Sequence, residues 1–379
     1  LHFYFLSGPD FLMGPGADYS VRNVIGIAQR FPEIGKRVIH SRYLGAKMLE
    51  ILAVKPIHPV AAVPGGFSKP LTQEDVSALK PMAQELLEFA KFSMNFAKTE
   101  IFPKYLDVVQ TLGVIRTGFL GTVKKNGKAE GAFELYDGEL RMMDAEGKFE
   151  DFRYDEYTDY IAEHVEPWSY LKFPYMKKVG KISMDLENPV GVYRTNTLAR
   201  LNVSDCIDTP LAQQELEEFR KTFGRPAQTT LLYHWARLIE LLYSAENVVR
   251  LLDDPEITSR DIRKKVEPRA ARGVGCVEAP RGTLIHDYET DANGILTNVN
   301  LIVGTTHNNA PINMSVRKAA TDLIKEGRYD EEILNKVEMA IRAYDPCLSC
   351  ATHNLGGRLP VKITVVNSMG EKVDTLCNF

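Results

Sequence analysis

The stretch from 211 to 252 limits the possible folds of this chain more than any other. Leu231, Leu232, Trp235, Leu238, Ile239, Leu242, Val248 and Val249 recur at three- and four-residue spacing, giving an apolar stripe too broad for a helix lying on a surface. Such a helix has to be enclosed by other elements. Gly224 and Pro226 interrupt the periodicity ahead of it and predict two consecutive helices.

The rest of the chain can supply the enclosure. With 379 residues, 44% of them hydrophobic, and a formal charge of −4, the composition is that of a soluble globular protein of one large domain or two closely packed ones. Helical spacing recurs over 17–53, where Gly35 is expected to separate two helices, and over 72–111, 311–326 and 330–343. Between helices, residues 113–155 carry turn signals at Lys125-Asn126-Gly127-Lys128, Asp137-Gly138 and Glu146-Gly147, which predict a small inserted antiparallel sheet. Asp291-Ala292-Asn293-Gly294 predicts a hairpin turn between Thr283–Tyr288 and Ile295–Val303. Residues 159–199 lack periodicity and read as extended segments packed on the domain. The expected class is α+β, mainly α, with long packed helices and small antiparallel β insertions.

Charges of both signs are interspersed, without a basic arm or acidic tail, so neither nucleic acid nor an acidic membrane is suggested as a partner. No run of eighteen apolar residues occurs, and the opening Leu1–Met13 is broken by His2, Ser7, Pro9 and Asp10 without a basic flank, unlike a signal peptide or anchor. Five cysteines, an odd and sparse set, fit a reducing cytoplasmic setting.

Two of those cysteines stand together. Asp345-Pro346-Cys347-Leu348-Ser349-Cys350, followed by Ala351-Thr352-His353, places two thiols and an imidazole within seven residues. Spacing alone leaves a metal site, a redox pair and two buried small side chains all open. A thioredoxin-like pair would follow the first strand of a βαβ unit, whereas this one follows a late helix. A closed zinc site would need a fourth ligand, and no second Cys-x-x-Cys or His-x-x-x-His is present.

Further segments give the motif a context: Leu1-His2-Phe3-Tyr4-Phe5-Leu6 with Asp10, Ile57-His58-Pro59 with Pro64-Gly65-Gly66, Tyr233-His234-Trp235-Ala236-Arg237, and Glu278-Ala279-Pro280-Arg281-Gly282. Together with Asp345–His353 they resemble, along essentially the whole chain, the large subunit of a nickel-iron hydrogenase. The resemblance is to the cytosolic group that includes the methyl-viologen-reducing enzymes of methanogens, with their part in methanogenesis, and their deazaflavin- and NAD(P)-reducing relatives.

The resemblance implies reversible heterolytic cleavage of dihydrogen at a nickel-iron centre carrying carbon monoxide and cyanide. Its nickel is held by four cysteine sulfurs from two Cys-x-x-Cys motifs, soft donors that suit several nickel oxidation states. By motif match, Cys347 would be a terminal nickel ligand and Cys350 a bridge to iron. His353, with a backbone carbonyl near Leu301, would hold a second magnesium or iron ion. Arg281 would sit above the metals and donate to a cyanide, oriented and neutralised by Asp10 and Asp345, with Pro280 shaping the same canopy. Arg281 and the Cys347 thiolate are the candidate bases. Thr305 aligns with a hydroxyl on the other cyanide, and Leu284 with an apolar neighbour of the iron ligands. On the pentapeptide alone, Arg281 would sooner pair with Glu278 or Asp287. His234 and Arg237, one turn apart, read as a buried structural pair.

The chain departs from that pattern in one respect. The family's Arg-x-Cys-Gly-x-Cys lies upstream of the segment matching Leu1–Asp10 and is absent here, so the expectation is an N-terminally incomplete domain over 1–353 that could not assemble the whole site alone. Cys206 and Cys276 belong to no paired motif and read as packed thiols. Residues 354–379 read as a strand pair and, by resemblance, as a maturation extension removed after His353 by an endopeptidase. The implied partners are an iron-sulfur small subunit and further electron-transfer subunits of flavin or heterodisulfide-reductase type, since no cluster motif occurs here. Two alternatives stand beside this reading. One is a hydrogenase-derived scaffold or quinone-site subunit without metal, and the other is a zinc-binding protein using Cys347, Cys350 and His353.

Overall fold

The broad apolar stripe becomes the Leu232–Leu252 helix, and the break ahead of it separates the Pro210–Phe223 helix. Leu231, Leu232, Leu238, Ile239 and Leu242 are all buried, as are Tyr233 and His234 beside them. The computed structural model describes residues 1–125, 129–169, 171–347, 362–367 and 369–377. It separates into a body, Leu1–Asp345, and a C-terminal unit, Pro346–Phe379.

In the body, the long helix packs along the Gln73–Phe96 helix, which Thr72 starts with a capping box to Asp75. The latter helix does not stop at Phe96. A π-helical turn, Ala97–Ile101, joins it to the Phe102–Thr111 helix. Beyond that turn Phe102 stacks flat on Trp235, with ring centres 4.4 Å apart.

The helices expected over 17–53 form as Val24–Arg30 and Pro32–Ala53. The boundary falls at Phe31–Pro32 and not at Gly35, because proline is pre-set for a first helical position. Gly35 lies inside the second helix for a packing reason: a Cβ there would come 2.9 Å from the Ala28 Cα. The late helices run Asn309–Leu323 and Glu331–Ala343.

The inserted sheet orders its strands Phe149–Phe152, Glu139–Met143, Gly118–Val123 and Tyr193–Arg194, the last parallel to the third and the others antiparallel. Of its turn signals, Asn126-Gly127-Lys128 lies outside the described residues. The stretch 159–199 is more regular than its sequence suggests, with an antiparallel pair Ile161–Val165 and Lys172–Met176 and the buried Thr197–Val203 helix. A second sheet has Gly282–Thr290 at its centre, the expected partner Leu296–Ile302 on one side, and Ala271–Ala279 on the other. The architecture is α+β, dominated by long packed helices with small antiparallel sheets. No helix among the described residues is long and apolar enough to cross a membrane.

In the C-terminal unit, Lys362–Val366 pairs antiparallel with Lys372–Cys377. Asn367 closes the turn, its side-chain oxygen accepting from the N–H groups of Met369 and Glu371.

Candidate active site

Arg281 stands at the tip of a tight hairpin. Ala279 and Gly282 pair directly, which leaves only Pro280 and Arg281 in the turn. Two glycines let the backbone settle there. Gly282 has φ +132°, a region closed to most side chains, and a Cβ on it would meet the Thr195 hydroxyl oxygen at 2.2 Å. From the other side, a Cβ on Gly304 would come 2.8 Å from the Arg281 carbonyl carbon.

Behind the turn lies Arg200, whose side chain is 1% exposed. Its Nε and Nη2 donate to Glu240 at 2.7 Å each, and its Nη1 donates to Glu278 at 2.7 Å. Two further bonds reach the turn's own backbone: Nη1 to the Ala279 carbonyl at 3.0 Å and Nη2 to the Pro280 carbonyl at 3.1 Å. Every donor of the guanidinium is thereby used. Burial works against its charge, but the two carboxylates more than reverse that and raise its pKa. The second oxygen of Glu278 accepts from the Thr122 N–H and the Thr283 hydroxyl.

The Arg281 side chain turns to Asp345. Its Nε donates to the Asp345 carbonyl at 2.5 Å, and its Nη2 lies 3.4 Å from Asp345 Oδ1. His2 Nε2 is 3.4 Å from that same Oδ1. Glu278 and Asp287, the partners the pentapeptide favours, are engaged elsewhere: Glu278 by Arg200, Asp287 by Arg272 and the Tyr157 hydroxyl.

Asp345 is buried and adopts φ +49°, an uncommon conformation for a residue with a Cβ. The residues before it are tied down. Asn196 donates from Nδ2 to the Tyr344 carbonyl at 2.7 Å, and Arg237 from Nη2 to the Ala343 carbonyl at 3.0 Å. Arg237 also lies 3.2 Å from Nδ1 of buried His234, whose pKa is pushed far down by burial and then by that guanidinium. The pair is a structural strut.

One assignment needs correcting. Asp10, expected to neutralise Arg281, is taken up by Arg22 at 3.0 Å and Arg342 at 3.2 Å. The reason is topological: Asp10, on the Gly8–Leu12 helix, meets Arg342 of the Glu331–Ala343 helix. Burial raises the Asp10 pKa while the two guanidiniums pull it down.

Of the remaining expected residues, Leu284 is half-buried opposite Val277, and Thr305 is half-buried immediately after Gly304, the residue seated on the Arg281 backbone. Leu301 lies on the outer strand opposite His286 with its side chain exposed. Cys347 is exposed. Cys350 and His353 lie outside the described residues.

The other thiols do not complete a nickel set. Cys276 sits on the Ala271–Ala279 strand, where burial and then Glu278 raise its pKa and disfavour the thiolate, and Cys206 is in a separate loop. Among the described residues no three His, Cys, Asp or Glu side chains converge as a ligand group. Of the paired motif, only Cys347 is among the described residues, and no chemical step through a metal follows from it.

Sequence reasoning missed Arg200, Asn196 and His307. Arg200 had a signal: a lone cation in Leu198-Ala199-Arg200-Leu201 inside an apolar helix implies buried carboxylate partners. His307 follows Thr305 by two residues and lies 2.6 Å from the Tyr193 hydroxyl through Nδ1. Burial pushes its pKa down to about 3, although the backbone of Ile302 and Thr283 pulls the other way.

The arrangement has known counterparts. The family model for nickel-dependent hydrogenases matches residues 136–353. The chain belongs to the nickel-dependent hydrogenase family. It is 42% identical to an iron-sulfur subunit of the F420-non-reducing hydrogenase of Archaeoglobus profundus, over 99% of this chain and 78% of that one. It is 44% identical to a vhu subunit of the F420-non-reducing hydrogenase of Methanococcus voltae, over 86% of this chain and 75% of that one. Among solved structures, an NAD+-reducing nickel-iron hydrogenase in the H2-reduced state superposes with a TM-score of 0.84 at 38% identity, covering 93% of this chain and 76% of that one. The chain is a homologue of nickel-iron hydrogenase large subunits of the archaeal F420-non-reducing and vhu type.

Proposed function

We propose that these residues form the body of a hydrogenase large subunit that works in the cytoplasm beside an iron-sulfur small subunit. The observation that carries this reading is the Arg281–Asp345 couple. A guanidinium on a two-residue turn is held by Asp345, closely through its backbone carbonyl and more loosely through its carboxylate, two residues before Cys347 in the sequence. Among the described residues Arg281 donates only through Nε and Nη2 to Asp345, which leaves its remaining N–H groups to an anionic ligand of a metal centre.

In the catalytic form of this reading Cys347 and Cys350 supply half of the nickel's sulfurs, and two further thiolates come from outside these residues. By motif match Arg281, Pro280, Thr305 and Leu284 would be the neighbours of such a centre, and His353 with a backbone carbonyl near Leu301 would hold a second ion. Electrons leave through the small subunit to flavin or heterodisulfide-reductase-type partners, and an endopeptidase removes the segment after His353.

A metal-free scaffold is the second reading. Among the described residues no ligand group of three converges, and the sequence has a single Cys-x-x-Cys.

Metal analysis of the chain co-produced with its iron-sulfur partner and maturation proteins separates the readings. Equimolar nickel and iron, with hydrogen-dependent viologen reduction, supports the catalytic form. Absence of both metals in a folded complex supports the scaffold, and zinc alone overturns both.

A further inference from the structure

Asn196, the N-cap residue, and Arg200 bracket the first turn of the Thr197–Val203 helix. Asn196 holds the Tyr344 carbonyl, one residue before Asp345. Arg200 holds the Ala279 and Pro280 carbonyls, adjoining Arg281. One helical turn thus grips the backbone on each side of the Arg281–Asp345 contact. We infer that Asn196 and Arg200 are positioning residues, a gauge whose length sets the Arg281 guanidinium against Asp345; the inference deepens the hydrogenase reading and rests on it for its catalytic meaning.

Both ends of the gauge are independently fixed. At Arg200, Glu240 uses both oxygens and Glu278 one, so the guanidinium cannot rotate without stranding a buried carboxylate. At Asn196, φ is +81°, and the side-chain oxygen accepts from the Thr197 N–H while the amide donates to Tyr344. The two halves of that amide therefore do different work: the nitrogen holds Tyr344, while the oxygen caps the helix and lies 3.5 Å from the Arg237 guanidinium. Nearby, the Tyr233 hydroxyl donates to the Thr195 carbonyl at 2.8 Å, and its ring lies 4.8 Å from that of Tyr344. The framework around the gauge is closed on both sides.

The division of labour within Asn196 provides the test. Asn196→Asp keeps the capping oxygen and removes the donor to Tyr344, so the helix should persist while Asp345 loosens from Arg281. The readout is modification of Arg281 by a phenylglyoxal reagent in the folded chain, quantified by peptide mass spectrometry and needing no metal. Labelling of Arg281 should rise about fivefold, the factor that loss of one ordinary hydrogen bond gives. Buried Arg194, whose Nε is held by the Thr117 hydroxyl, should stay unlabelled. Glu240→Gln tests the other end and should raise Arg281 labelling in the same direction. Asn202→Ala, on the same helix as Asn196 and Arg200, removes a buried tie to Ala227, controls for general loosening and should leave it unchanged. Unchanged Arg281 labelling in both Asn196→Asp and Glu240→Gln, with circular dichroism showing a folded chain, would overturn the gauge. So would an equal rise in Asn202→Ala. If Arg281 labelling responds as expected but the complex never loads nickel and iron, positioning stands and the catalytic reading fails.

Discussion

Acidification should expose the burden that His307 places on the fold. Its imidazole is fully buried, with a pKa near 3 in the folded chain against 6.5 for the unperturbed group. A depressed folded-state value means that the unfolded chain binds the extra proton first. The contribution is therefore whole above pH 6.5 and is lost as the pH falls toward 3. Across that window the loss is about 5 kcal/mol at about 1.4 kcal/mol per unit, and between pH 7 and pH 5 about 2 kcal/mol. Urea unfolding of the chain and of His307→Asn at both pH values measures it, because every other titrating group contributes to both proteins and cancels in the difference. His307→Asn should be less stable at pH 7, having lost the Tyr193 bond, but should fall by about 2 kcal/mol less on going to pH 5. An identical pH slope in the two proteins would show that His307 is not held neutral by burial.

Other perturbations should report on the Arg281 region. Gly304→Ala places a Cβ against the Arg281 backbone and should cost about 1–3 kcal/mol, read from the urea midpoint, with a parallel rise in Arg281 modification. Arg200→Met strands Glu240 and Glu278 and should cost about 3–5 kcal/mol, whereas the same change at the exposed Arg328 should be nearly silent in the same titration. Asp10→Asn leaves Arg22 and Arg342 without their shared carboxylate and should lower the melting temperature while leaving Arg281 modification as it was, because Asp10 does not reach that guanidinium.

The sequence was most legible where one physical rule dominated. The Leu232–Leu252 helix announced its burial through the width of its stripe, and the Asp291–Gly294 turn announced its hairpin through φ-permissive residues. It was least legible where tertiary packing overrode a local signal. Gly35 looked like a break but permits a close helix approach, and Ala271–Ala279, interrupted by Gly273 and Gly275, becomes a strand because Gly282–Thr290 pairs with it. At the candidate site, motif position found Arg281 and Asp345 but mispaired Asp10. Which carboxylate reaches which guanidinium depends on the crossing of helices far apart in sequence. Arg200 and Asn196 act through backbone carbonyls, which every residue possesses, so no residue-type pattern could reveal their partners.

The π-helical turn at Ala97–Ile101 has a consequence for what this chain can tolerate in length. That turn behaves as a fixed one-residue insertion in an otherwise continuous helical rod, and the rod downstream takes its rotational phase from it. Deleting one residue there would restore ordinary winding and swing the next segment by about 100° around the axis. Phe102 would then leave the face of Trp235. A substitution in this segment is a local event, but a single-codon deletion re-indexes every side chain from Phe102 to Thr111 against the core.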